Sequence, residues 1–216
     1  MKPAEQDSSI PIEIQATALG KKFNRDWIFR GFTFTFRPSK IYAITGPNGS
    51  GKSTLLQVLW GQLPQSAGEI AYHTKKTSIP VEDVFKHLSI ATPYVDLIEE
   101  FTLREHLDFH YGLKASRDGM GTNDVLEKMR LSRAGDKVIS NFSSGMKQRV
   151  KLALAFFTRS NLIFLDEPTT NLDAEAIAWY HEQLASLPPD CTILIASNDT
   201  SEYPSDATII NVMDYK

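Results

Sequence analysis

Between an apolar, β-rich run, Ile41-Tyr42-Ala43-Ile44-Thr45, and a helix-like run from Leu55 to Leu59, the chain reads Gly46-Pro47-Asn48-Gly49-Ser50-Gly51-Lys52-Ser53-Thr54. No other stretch limits the fold as tightly. A strand must stop, the backbone must wrap around a centre, and a helix must begin at once. That is the G-x-x-x-x-G-K-[ST] arrangement that cradles phosphate. Glycines let successive N–H groups point inward, and the helix that follows aims its positive end at the same anion. The Lys52 ammonium suits the β- and γ-phosphates of a nucleotide, and the Ser53 hydroxyl suits a magnesium ion.

A second run, Leu162-Ile163-Phe164-Leu165, is apolar without a break, as a strand buried on both faces requires. It ends in Asp166-Glu167-Pro168, where the proline has no N–H to continue a ladder. Ligands of open parallel sheets collect at the carboxyl ends of strands, which brings these two acids beside the phosphate loop. Asp166 is then the candidate for the magnesium shell. Glu167 is the candidate for polarising a water that attacks the γ-phosphate in line.

Short β-rich runs alternate with helix-like stretches, so the fold class is α/β. The first third carries more strand signal, at Ile12 to Ala16, at Phe32 to Phe36 with period-two alternation, and at Ile41 to Thr45, which predicts an antiparallel layer flanking the main sheet. From about residue 102 to 157 the spacing turns helical, and Ser116 to Thr122 reads as a loop within that segment. The expectation is a single nucleotide-binding domain over 1–216 with a helical subdomain at about 102–157.

Composition excludes several classes. With 216 residues, 42% hydrophobic and 23% charged, the chain is of globular type. Its 23 basic and 26 acidic residues leave a formal charge of −3, which disfavours direct nucleic-acid binding. The single cysteine, Cys191, borders the apolar run Thr192 to Ile195 and reads as a buried structural thiol in a reducing compartment. Met1 to Ser9 has no secretory pattern, and no run approaches the roughly 18 apolar residues of a membrane span. A soluble chain is expected.

Between the two motifs lies Phe142-Ser143-Ser144-Gly145-Met146-Lys147-Gln148-Arg149-Val150, where Ser143 or Ser144 can cap a helix running from Met146 to Phe157. It resembles the LSGGQ signature of the ATP-binding cassette (ABC) family. The three motifs in this order make the chain, from about Ile12 to Val212, similar to that family. The resemblance implies a P-loop NTPase core with a flanking antiparallel β-layer and an inserted helical subdomain. It also implies ATP and Mg²⁺ as ligands, and a homodimer or heterodimer of cassettes in which Ser143, Ser144, Gly145 and Met146 complete the partner's ATP site. Asn171-Leu172-Asp173 resembles the loop that carries an aspartate across that interface, and Phe23 resembles the aromatic that stacks on adenine.

The implied role is an ATP-hydrolysing transporter subunit, peripheral on the cytoplasmic face of the membrane and bound there to an integral membrane permease. The alternative is a soluble or degenerate cassette that uses ATP as a switch with little hydrolysis. Two departures favour that alternative: Asn198 replaces a histidine that contacts the γ-phosphate, and Pro93 or Tyr94 stands where the family has a glutamine near Mg²⁺ and the attacking water. Ser144 replaces a signature glycine. The segment from Pro93 to Leu103, with Glu99-Glu100, corresponds to the family's permease-facing surface.

Overall fold

A computed structural model describes residues 10–216; the stretch Met1–Ser9, read above for a leader, lies outside the described residues. The regular elements in chain order are β1 (Glu13–Phe23), β2 (Asp26–Phe36), β3 (Ile41–Thr45), α1 (Lys52–Leu59), β4 (Ala67–His73), β5 (Ser78–Ile79) and β6 (Leu88–Ala91). They continue with α2 (Leu103–Leu113), α3 (Thr122–Lys128), α4 (Ser144–Phe157), β7 (Leu162–Asp166), α5 (Ala174–Ser186), β8 (Thr192–Ala196) and β9 (Thr208–Asn211).

Two sheets result. One is antiparallel with order β2-β1-β4-β5, and the other is parallel with order β6-β7-β8-β3-β9. Strand periodicity explains how the parallel sheet joins two apolar layers. Along β7, Leu162 and Phe164 face a layer built from α1 and the antiparallel sheet, with Leu55, Leu56, Phe29 and Phe32. Ile163 and Leu165 face the opposite layer, where α2, α4 and α5 supply Leu107, Val150, Leu152 and Trp179. All of these are essentially inaccessible to water, and each large apolar side chain buried in this way contributes about 1.5–3 kcal/mol.

The antiparallel layer is longer than its sequence signal. Strand character was expected at Ile12 to Ala16 and Phe32 to Phe36, whereas β1 and β2 each run 11 residues. The register of β1 against β2 shifts between Ala16 and Leu19 and twice more before Lys22, and Ala18 has φ of 48°. Each such bulge switches which face a residue occupies, so the alternation loses phase although the strand continues.

Helices α2, α3 and α4 lie between β6 and β7. Thr102 caps α2 through a capping box with Glu105. Helix α4 begins at Ser144, two residues before the expected Met146, because Ser143 is the capping residue and its hydroxyl accepts the Met146 N–H at 3.2 Å. The far end of α4 is tied to the turn after α2. Arg117, in the short turn after α2, donates to the carbonyls of Phe156 (3.0 Å), Thr158 (3.2 Å) and Ser160 (3.4 Å), and one of its nitrogens lies 3.4 Å from Cys191 Sγ. Cys191 is 5% exposed, and burial raises its thiol pKa, as suits a structural residue.

Candidate nucleotide site

Strand β3 lies between β8 and β9 in the parallel sheet and delivers the loop at its carboxyl end. Gly51 opens α1 with φ of 101°, and a Cβ there would come within 2.4 Å of Ile28 Cγ2, so neither the backbone nor the space admits a side chain. Among the described residues no side chain caps α1. Its first amides therefore remain available to an anion. Lys52 is 4% exposed, and its ammonium donates to the Gly46 carbonyl at 2.9 Å, back across the loop. Ser50 lies beneath, its hydroxyl buried with no partner among the described residues. Pro47, Asn48 and Gly49 form the exposed rim, while Ser53 and Thr54 are half-buried in the first turn of α1.

Asp166 ends β7 and registers with Ala196 at the end of β8. It is 1% exposed, and neither carboxylate oxygen has a hydrogen-bond partner among the described residues. Burial is the main cause that pushes its pKa up to about 6; the Ser53 hydroxyl and Lys52 ammonium pull it down, while Glu167 and Glu202 add to the rise. An orphaned buried carboxylate beside a hydroxyl and a phosphate loop fits a hard cation that keeps water and substrate phosphates as its remaining ligands. Magnesium therefore fits Asp166 and Ser53.

Glu167 is off the strand. Its φ of 46° turns the chain sharply, with its N–H donated to the Ala196 carbonyl at 2.9 Å. Strand pairing thus ends at Asp166, one residue before the acid pair closes. The Pro168 carbonyl then accepts from Gln148 of α4 at 2.8 Å, tying the signature helix to the acid pair.

Asn198, two residues past β8, donates its side-chain amide to Asn48 Oδ1 at 2.9 Å, so it reaches the rim of the phosphate loop. Phe23 is 46% exposed at the tip of the β1–β2 hairpin, with the Lys21 ammonium 5.1 Å from its ring centroid. The contact of Ile28 with Gly51 brings β2 of that hairpin to the loop.

Ser143, Ser144, Gly145 and Met146 line a separate cleft of about 330 Å³ with Asn171 and Asp173. A Cβ at Gly145 would lie 2.8 Å from the Asn171 carbonyl, so the two segments are packed backbone to backbone. Asp173 caps α5 by accepting the Ala176 N–H at 2.8 Å.

Where a glutamine was expected, Pro93 is exposed and Tyr94 is 64% exposed, but Thr92 is only 1% exposed. Thr92 follows the registered pair Ala91–Leu165 and so stands level with Asp166. Lys151 of α4 donates to the carbonyls of Thr92 (3.4 Å) and Pro93 (3.2 Å), and burial lowers its pKa. Thr92, Gln148 and Glu202 were not singled out from the sequence. For Thr92 the available signal was its place directly after a short apolar strand.

Residues 29–170 match the ABC transporter family model. The chain belongs to the ABC transporter family. Among curated relatives, an uncharacterized ABC transporter ATP-binding protein of Bacillus subtilis (strain 168) is 28% identical over 202 residues, covering 93% of this chain and 66% of the relative. The Nod factor export ATP-binding protein I of Burkholderia lata is 31% identical over 170 residues, covering 77% and 56%. The chain thus spans between about half and two thirds of these relatives' length. Among solved structures, a putative ABC transporter ATP-binding protein from Pyrococcus furiosus superposes with a TM-score of 0.77 at 18% identity, covering 94% of this ABC chain and 98% of that one. A dimeric ATP-binding cassette bound to ADP and phosphate gives 0.77 at 18% identity, with 92% and 94% covered. The cassette fold is therefore shared across low sequence identity.

Proposed function

We propose that this ABC-family chain is the ATP-binding, ATP-hydrolysing subunit of a membrane transporter. The observation that carries the reading is Asp166: a buried carboxylate with no hydrogen-bond partner among the described residues, placed at a loop whose helix has no side-chain cap among them. In this reading the amides of Gly49 to Ser53 and the Lys52 ammonium bind the β- and γ-phosphates, and Phe23 stacks on the base. Asp166 and Ser53 hold magnesium, which when bound neutralises charge developing on the phosphate oxygens. Glu167 orients a water and accepts its proton as the water oxygen bonds to the γ-phosphorus. The bond from that phosphorus to the β–γ bridging oxygen breaks, and ADP and phosphate result. Asn198 contributes a neutral hydrogen-bond donor near the γ-phosphate.

The cleft at Ser143 to Met146 supports a composite site in which two cassettes close on two ATP molecules. The exposed apolar side chains of Tyr94, Val95 and Phe109 suit a membrane permease that would keep the chain at the cytoplasmic face. No helix among the described residues is long and apolar enough to cross a membrane. Asn198 and Tyr94 favour a second reading, an ATP switch that hydrolyses slowly.

The test is Mg²⁺-dependent ATP turnover across a concentration series, with Glu167→Gln alongside. The expected result is turnover per chain that rises with concentration, and a loss of about 10³-fold in the variant while ATP binding stays within about threefold. Turnover at the parental rate in Glu167→Gln removes the base assignment. Tight binding without turnover in the parent selects the switch.

A further inference from the structure

Glu202 is 4% exposed, and carboxylates are seldom buried unless they are paired. Its Oε1 accepts the Thr169 N–H at 2.8 Å and also the Thr169 hydroxyl. Its own carbonyl accepts from Tyr180 of α5 at 2.6 Å, and Tyr180 is fully buried, so the backbone at this point is anchored as well. The chain from Asn198 to Glu202 is short and internally braced: Asp199 accepts the Ser201 N–H at 2.8 Å, and the Asp199 N–H is itself donated to Ser197 Oγ at 2.9 Å.

This brace has the nucleotide loop at one end, through the Asn198–Asn48 contact. At its other end is the turn that carries Glu167. Thr170 donates back to the Glu167 carbonyl at 3.2 Å, and Leu172 donates to the Thr169 carbonyl at 3.0 Å. Beyond Thr169 the same turn presses the Asn171 carbonyl onto Gly145 of the signature helix. Both Glu167 and Asn171 have positive φ, conformations that surrounding structure must hold in place.

We infer that Glu202 is a positioning residue for ATP turnover: its carboxylate holds Thr169, and through Thr169 fixes the turn that sets Glu167 against the phosphate loop. The inference rests on the hydrolytic reading given above. The contact is made by an accepting oxygen, so a glutamine in the same place can reproduce it and an alanine cannot.

The experiment uses the whole chain as parent, Glu202→Gln and Glu202→Ala. For each, the steady-state kcat and KM for MgATP are measured, together with hydrogen exchange of the peptide containing Thr169. Glu202→Gln is expected within about threefold of the parental kcat. Glu202→Ala is expected to lose about 10–100-fold in kcat with KM within about twofold, and to exchange faster at Thr169. A folded Glu202→Ala with the parental kcat overturns the inference, and so does a Glu202→Gln that falls as far as the alanine variant. If Glu202→Ala does not fold, Thr169→Val decides: it removes the hydroxyl half of the contact, and a kcat loss of about threefold or more is expected, whereas no loss overturns the role. A parent that never turns over MgATP removes the hydrolytic reading and this role together. An active parent with an indifferent Glu202→Ala removes this role alone.

Discussion

Helices α1 and α4 both start from a short Gly/Ser-rich segment that was read as an anion site, yet their first turns are built differently. At α1 the cap is Gly51 in a left-handed conformation with no side-chain bond, and the neighbouring ammonium of Lys52 is buried in the loop. At α4 the Ser143 hydroxyl already takes the Met146 amide, and no charged side chain stands in the first turn beyond Lys147. The first terminus leaves its donors open and adds a full charge. The second has one of its amides taken by the cap, and among the described residues the only positive charge lining the cleft beside it comes from Arg149, one turn into the helix. On the proposed reading, the first site binds by itself, while the second contributes when a partner cassette presents the anion.

The largest test of that contrast is Lys52→Ala. Removing a charge-assisted phosphate contact is expected to weaken ATP binding by about 100-fold, near 3 kcal/mol, as read by equilibrium titration of the dilute chain. An unchanged affinity would mean that the backbone amides of the loop suffice, and the two termini would be more alike than their charges suggest.

A smaller effect separates the two ends of α4. His110 Nε2 lies 2.7 Å from Thr158 Oγ1 at the carboxyl end of that helix, and its pKa is lowered to about 4, mainly by burial and then by Lys114 and His106. Below the ordinary value near 6.5 the unfolded chain takes up a proton that the native site resists. The stability that His110 contributes is thus whole above pH 6.5 and is lost as pH falls toward 4, on the order of 2 kcal/mol by pH 5. Urea midpoints between pH 7.5 and 5 should fall in the parent and flatten in His110→Gln. Equal slopes in the two proteins would refute the assignment.

The smallest is Ser143→Ala. Loss of the cap is expected to cost about 1 kcal/mol, or roughly 2–4 °C in melting temperature, with ATP affinity of the dilute chain unaltered. Weaker binding by the isolated chain would place the signature at its own nucleotide rather than at a partner's.

How far the sequence reaches depends on whether an interaction is local. The loop from Gly46 to Thr54, the pair Asp166-Glu167 and the cap at Ser143 are each written in consecutive residues, because a helix start or a strand end is a contiguous event. Glu202, Gln148 and Thr92 meet partners 33, 20 and 59 residues away. Nothing beside them in the chain marks that pairing. The upper half of β1 was missed for a different reason: it keeps its hydrogen bonds while its bulges reverse the inward and outward faces.

Arg117 bears on any attempt to treat the helical insert as an exchangeable part. One guanidinium from the insert satisfies three carbonyls where α4 hands over to β7, and the same junction carries a backbone bond from Arg159 to Ala115. A chimera that takes this segment from another cassette inherits a seam rather than a hinge pin. Unless the donor brings a long planar cation to the same three acceptors, its chain will start from a junction where the Thr158 and Ser160 carbonyls keep only long contacts, from the Ser160 hydroxyl and the Cys191 thiol.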